Sequence, residues 1–371
     1  MSKINFRDTV SINELRKMIP IIGGEITPII LSEPGCGKTS LLAAIALDNG
    51  DQWNKPGDSF PDDKYDYIYV DCPVKDMSDI GMTIPVHATK SLEYYVAGLF
   101  NILDKRPKVI LLDEYMKSNK LMQVVFTRLV LERMVGDVPL PIGSYIFGTS
   151  NNASDGVGDS LLAHAGNRVC ILHMAKPTAS QWLVWATEKH IARPIRAWVT
   201  MYPRALASYL DGGQEDNPYI FNPKTPALSF CSPRSLAKCD VIVRNVSALS
   251  ENSVKCALAG TIGASAAKDL ATFVSIESTL VDVKEVIKSP KTVAVPKEIA
   301  AQVMMMLQAV DTIDTQDDLS SFMEFVKRIE SEEIQAIFFT LSMNTARMVK
   351  MASRNELIKE WAKNHHELVA V

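Results

Sequence analysis

The chain has no basic excess. Its 39 Lys and Arg residues are outnumbered by 43 Asp and Glu, for a formal net charge of −4. A protein whose main task is coating nucleic acid carries the opposite balance, so a nucleic-acid partner is not expected. No uninterrupted apolar run approaches the roughly 18–20 residues of a spanning helix, and residues 1–9 lack the apolar core of a signal peptide. The expectation is a soluble, cytoplasmic protein with no membrane part. Cysteine is sparse: the six are scattered, with no CxxC pair, which points to reduced, mostly buried thiols rather than disulfides. The six histidines form no HExxH; only His365 and His366 are adjacent, in a polar tail that reads as a solvated face. Internal repeats and low-complexity tracts are absent as well. What remains is 371 residues, 47% hydrophobic and 22% charged, an ordinary globular balance. That excludes wholesale disorder, and the length suits two or three domains.

The first half alternates strand-like and helix-like runs. The pattern predicts strands over 27–31, 65–70, 108–112, 144–149 and 169–174, and helices over 11–22, 39–47 and 121–134. Residues 109–112, Val-Ile-Leu-Leu, are continuously apolar, as a strand buried on both faces should be. Strands alternating with helices predict a parallel sheet covered on both sides, an α/β fold. After Pro177 the strand signal fades. Thr178 with Gln181 fits a capping box, and Ser232-Pro233 fits a helix start with serine at the cap and proline at the first turn. Residues 264–274 read as helix, 275–296 as a linker with a weak element inside, and 299–310, 319–329, 333–341 and 355–365 as helices.

The strongest local signal is Ser32-Glu33-Pro34-Gly35-Cys36-Gly37-Lys38-Thr39, between a predicted strand and a predicted helix. Glycines let backbone N–H groups curl around phosphate oxygens, and the helix N-terminus adds a favourable dipole. Lys38 would reach the β- and γ-phosphates, and the Thr39 hydroxyl would ligate Mg²⁺. The pattern departs at Ser32, where such loops carry glycine; a serine fits if its φ is negative. The second signal is Val109-Ile110-Leu111-Leu112-Asp113-Glu114. Two acids at the end of a buried parallel strand sit at the edge where open α/β sheets bind ligands. Asp113 would hold Mg²⁺ and Glu114 would activate the attacking water.

Three further positions follow. Asn151 ends the strand over 144–149 and could hydrogen-bond a γ-phosphate or water; Asn152 is an alternative. Arg168, just before the last strand, could act on a neighbouring subunit's nucleotide. Arg234 lies in the first turn of a helix, where a cation is unfavourable, which hints at an external anion. Each has a bland reading too: an Asn turn, a surface ion pair, a solvated arginine.

The ordered set SEPGCGKT, VILLDE, GTSNN, GNRV and SPRS resembles the AAA+ ATPases, most closely the MoxR and dynein-related branch, over residues 10–275. The resemblance implies a P-loop NTPase core with an αβα sandwich over 1–175, an α-helical lid over 176–275 and a C-terminal helical extension over 276–371. It makes residues 32–39 Walker A, with Glu33, Pro34, Gly35, Cys36, Gly37, Lys38, Thr39 and Ser40 around ATP. It makes Asp113-Glu114 Walker B, Asn151 sensor 1, Arg168 the arginine finger and Arg234 the sensor-2 arginine. It implies ATP and Mg²⁺ as cofactors, ATP bound between subunits of a homo-oligomeric, commonly hexameric ring, and a protein client, with a von Willebrand A-domain partner in many members. Competing expectations are a low-turnover nucleotide-gated scaffold and an ATPase that loads or remodels nucleic acid. Residues 76–82, with Met77, Ile80 and Met82, fall where this family carries insertions facing the ring pore; ordinary loop packing is the bland reading.

Overall fold

A computed structural model describes residues 9–152, 166–343 and 345–369. The chain divides into two compact units, residues 1–176 and 177–371.

The first unit contains strands β1 (Thr9–Val10), β2 (Thr27–Ser32), β3 (Asp66–Asp71), β4 (Gly81–Val86), β5 (Ser91–Val96), β6 (Lys108–Asp113), β7 (Met134–Val135), β8 (Val138–Pro139), β9 (Tyr145–Asn151) and β10 (Val169–Met174). Its helices are α1 (Ile12–Ile22), α2 (Ser40–Asn49) and α3 (Lys120–Glu132). Six strands form one sheet in the order β1-β10-β2-β9-β6-β3. Every pairing in it is parallel. All residues of β2 and of β6 are buried. Their side chains alternate between two cores, as the period-two geometry of a strand requires. Ile30, Val109 and Leu111 join Leu15 and Ile19 of α1 and Leu41 and Ile45 of α2. Ile29, Leu31, Ile110 and Leu112 join Met122, Phe126 and Leu129 of α3 on the other face. The α/β class read from the sequence is therefore the observed one.

The buried lysine of this sheet is paired. Lys108 is fully buried at the start of β6, and its Nζ lies 2.9 Å from Asp66 Oδ2 at the start of β3. An unpaired ammonium there would carry a large desolvation cost.

Three features were not foreseen, one of them the short antiparallel pair of β7 and β8. Thr9 and Val10, at the edge of a stretch read as polar, add a short strand opposite His173 and Met174. Residues 81–96, left unassigned, form an antiparallel hairpin of β4 and β5. Before it, Asp76 caps the short turn Met77–Asp79. Met82, Leu92 and Tyr95 on the hairpin are exposed.

The second unit is helical: α4 (Ala179–Glu188), α5 (Arg193–Met201), α6 (Pro233–Arg244), α7 (Glu251–Ile262), α8 (Ala264–Glu277), α9 (Val283–Lys288), α10 (Ile299–Thr312), α11 (Gln316–Val326), α12 (Glu332–Ser342), α13 (Ala346–Ala352) and α14 (Glu356–Asn364). Both bonds of the capping box expected at Thr178 and Gln181 are present, and Ser232 caps α6 with Pro233 at its first position. One apolar core runs from Trp182 through Trp198, Leu258 and Met305 to Trp361. Its centre is α10, where Val303, Met304, Met305, Met306 and Leu307 are all buried. A helix apolar on all sides has to be enclosed on all sides. Helices before and after residue 275 thus share one core. Among the described residues, no helix is long and apolar enough to cross a membrane.

Candidate functional site

The site is assembled at the carboxyl edge of the sheet. β2 runs into the glycine loop, and its neighbour β9 ends level with it, Ser32 opposite Asn151. β6 lies on the far side of β9, with Leu112 opposite Gly148, so Asp113 and Glu114 emerge beside Thr149 and Asn151. This edge is where parallel α/β sheets hold ligands.

The loop has the backbone its sequence demands. Gly35 and Gly37 have φ of 75° and 95°, a region that side-chain-bearing residues rarely adopt. Ser40 Oγ donates to Gly37 O at 2.6 Å. The loop then enters α2 at Thr39, whose side chain makes no capping bond and is left for other work. That hydroxyl donates to Asp113 Oδ2 at 3.0 Å, joining residues 74 apart in sequence. Lys38 is buried and turned back over the loop. Its Nζ donates to Ser32 O and Glu33 O, both at 3.1 Å, and to Asn151 Oδ1 at 2.8 Å. Ser32, the departure from glycine, adds its own Oγ at 3.2 Å from Lys38 Nζ. Burial pushes the Cys36 thiol up to about 11, so it is neutral packing at ordinary pH.

Glu114 has φ of 53°. Its carboxylate accepts from Asn151 Nδ2 at 3.4 Å and pairs with Lys117 Nζ at 2.9 Å. Asn151 therefore bridges Lys38 and Glu114, whereas for Asn152 the structure shows burial. Pro34 and Gly35 are half-buried in the loop, and Ser40 is exposed.

Two expected residues are exposed. Arg168 is exposed in the turn Gly166–Arg168 and makes no hydrogen bond or ion pair among the described residues. Arg234 is exposed in the first turn of α6, in the second unit.

Sequence reasoning missed four participants. Tyr69 OH donates to Asp113 Oδ2 at 3.0 Å, and Thr149 Oγ1 donates to Asp113 Oδ1. Burial beside Asp113 raises the Tyr69 phenol well above its usual range, so it stays a donor. Lys117 faces Glu114, and Lys176 Nζ lies 3.3 Å from Glu33 Oε2. Only Lys117, three residues after Glu114, carried a spacing signal. Arg133 turns inward and donates to Gly24 O at 2.9 Å and Gly23 O at 3.1 Å.

The donor set suits Mg²⁺. One hydroxyl and one carboxylate oxygen converge at Thr39 and Asp113, hard oxygen ligands of the kind that hold this ion together with phosphate oxygens. Among the described residues no cluster of three or more His, Cys, Asp or Glu forms a separate metal cage. A glycine loop between a buried parallel strand and a helix, with an acid-ended strand two places away, defines a P-loop nucleotide-binding α/β fold.

No protein-family model and no curated protein matches the chain. Among solved structures it is similar to the RuvB Holliday junction branch migration motor of Thermotoga maritima, at 13% identity over 85% of each chain and a TM-score of 0.34. It is similar to Cdc6p of Pyrobaculum aerophilum at 11% identity, covering 98% of this chain and 96% of that one, with a TM-score of 0.38. A putative ATPase of Cytophaga hutchinsonii matches at 13% identity over 94% of this chain and 78% of that one, with a TM-score of 0.28. Likeness this remote carries no functional argument; the site's own geometry does.

Proposed function

We propose that the chain is an ATPase of the AAA+ class, MoxR-like in motif detail, that converts ATP and water to ADP and phosphate. The carrying observation is the 3.0 Å bond from Thr39 Oγ1 to Asp113 Oδ2, which brings the loop hydroxyl and the strand acid to one point. Mg·ATP bound there supplies an electrophilic γ-phosphorus and a cation to spread its charge.

The protein's own residues do the rest. Backbone N–H groups of the loop through Ser40 face the phosphates, and Lys38 leaves its loop carbonyls for phosphate oxygens. Thr39 and Asp113 would hold the cation. Asp113 is kept in place by Tyr69 and Thr149. Glu114 accepts a proton from the attacking water, and Asn151, already bonded to both Lys38 and Glu114, aligns water and γ-phosphate. Arg168, exposed and unpaired among the described residues, serves a neighbouring subunit's nucleotide in a homo-oligomeric ring, commonly a hexamer. Arg234 serves as the lid's anion sensor.

Residues 176–275 act as that lid, and 276–371 as a helical extension that shares its core. The client is a protein, in keeping with the acidic balance, and a von Willebrand A-domain partner is the candidate adaptor. The exposed Met82, Leu92 and Tyr95 of the hairpin are available to client contact.

Steady-state phosphate release tests the reading. Lys38→Ala should abolish nucleotide binding and turnover, and Glu114→Gln should cut turnover about 10²-fold or more while still binding ATP. Hydrolysis by Glu114→Gln at the wild-type rate would sink the mechanism.

A further inference from the structure

Asp113 is held by hydroxyl groups from three separate elements. β6 lies between β9 and β3 in the sheet, and each neighbour sends one hydroxyl to its last residue. Thr149 of β9 donates to Oδ1, and Tyr69 of β3 donates to Oδ2 at 3.0 Å. The third hydroxyl comes from the phosphate loop, where Thr39 donates to the same Oδ2, also at 3.0 Å.

The three are not equivalent. Thr39 can give its oxygen to a cation and exchange its bond to Asp113 for shared ligation. Tyr69 and Thr149 stand on strands outside the phosphate loop, so they stay with the carboxylate. Thr149 is fully buried and also accepts from Glu114 N at 3.4 Å. The Tyr69 ring packs beside Trp53, with centroids 6.5 Å apart, which settles where its hydroxyl points. A carboxylate pinned at both oxygens cannot turn to present both to one ion. Mg²⁺ demands near-ideal octahedral geometry and is served by one oxygen from such a group, whereas Ca²⁺ is larger, takes about 6–8 oxygens and often grips a carboxylate by both. Outer partners that orient a metal ligand carry much of a site's affinity.

We propose that Tyr69 is a positioning residue that holds Asp113 in place for a small divalent cation and makes the site prefer Mg²⁺ to Ca²⁺. The inference deepens the ATPase reading above and rests on it, since the ion arrives with the triphosphate of a nucleotide. Tyr69 acts through Asp113.

The test follows binding of a fluorescent ATP analogue to the full chain with Mg²⁺, with Ca²⁺ and with EDTA. In the wild type, half-maximal metal-dependent binding should need about tenfold less Mg²⁺ than Ca²⁺. Tyr69→Phe removes the hydroxyl and keeps the ring. It should raise the Mg²⁺ requirement about tenfold or more, the cost of losing an outer partner of a metal ligand. Its Ca²⁺ requirement should change by less than about threefold, and its affinity in EDTA should match the wild type, since the phosphate loop is untouched. Tyr69→Leu, which lacks the ring as well, should show the same metal defect together with a lower Tm.

An unchanged Mg²⁺ requirement in Tyr69→Phe, parallel losses with Mg²⁺ and Ca²⁺, or an equal loss in EDTA would each overturn the proposal and leave the ATPase reading intact. So would a wild type indifferent to the choice of ion, a result that decides the matter even if neither variant folds. A wild type that binds no nucleotide would overturn both.

Discussion

Individual residues in this chain take their roles from register as much as from type. Tyr69 stands opposite Leu111 across the β3–β6 pair, so Asp113, two residues further on the same face, is its diagonal neighbour. Thr149 is one step past the Leu112–Gly148 pair, which sets it beside Asp113. Neither type advertises such a role, and only the pairing of distant strands reveals it. Cys36 shows the opposite case, a residue that looks reactive and is not. Burial raises its pKa from 9.0 to about 11. Because the folded value lies above the unfolded one, the neutral thiol's contribution to stability is complete below about pH 9 and is lost as pH rises towards 11. Peptide mapping after iodoacetamide at pH 8 should find the exposed Cys256 modified and Cys36 intact. Rapid labelling of Cys36 at that pH in the folded protein would show that the loop opens.

Elements were legible to the extent that burial wrote them into the sequence. β2, β6 and β9 are apolar runs because both faces of the sheet are covered, and the runs predicted them to within a residue or two. Helix starts were legible where a side chain closes the first turn, as at Ser11, Thr178 and Ser232. The loop lysine and threonine, the strand acids and Asn151 were legible as a group because they stand at the ends of neighbouring strands, where the sheet brings them together. The β4–β5 hairpin was not, since it buries no residue and so carries no alternation to read. β1, two residues long, has too little length for a pattern and exists through its pairing with β10. The caps offer a direct check. Thr178→Ala removes the oxygen that accepts from Gln181 N at 3.2 Å and should cost about 1 kcal/mol. Urea unfolding followed by tryptophan fluorescence should show the midpoint fall with the slope unchanged.

The whole chain resolves its length into two bodies by packing, and the second is where the sequence said least. Its division at residue 275 followed the fading of motifs, whereas the apolar core follows α10. Met304, Met305 and Met306 are three consecutive buried residues, and α10 packs against α5 and α8 from before that point and against α12 from after it. Arg196 on α5 makes the same link in charge: it is 4% exposed, and its guanidinium donates to both oxygens of Asp311 on α10, with the Nη1 bond at 3.0 Å. A chain ended after residue 288 would therefore lose the carboxylate partner of a buried arginine and the apolar helix that packs against α5 and α8. Removing one partner of such a pair alone costs about 3–5 kcal/mol, and each large apolar side chain returned to water adds about 1.5–3 kcal/mol. Against a typical domain stability of about 5–15 kcal/mol, the truncated second unit should not fold. The measurement is calorimetric: the full chain should show the second unit's unfolding endotherm, and the chain ended after 288 should lack it while the first unit's endotherm remains. A truncated chain that kept both endotherms would mean that α4 to α8 close a sufficient core without α10, and that the extension is an appendage rather than the centre of its unit.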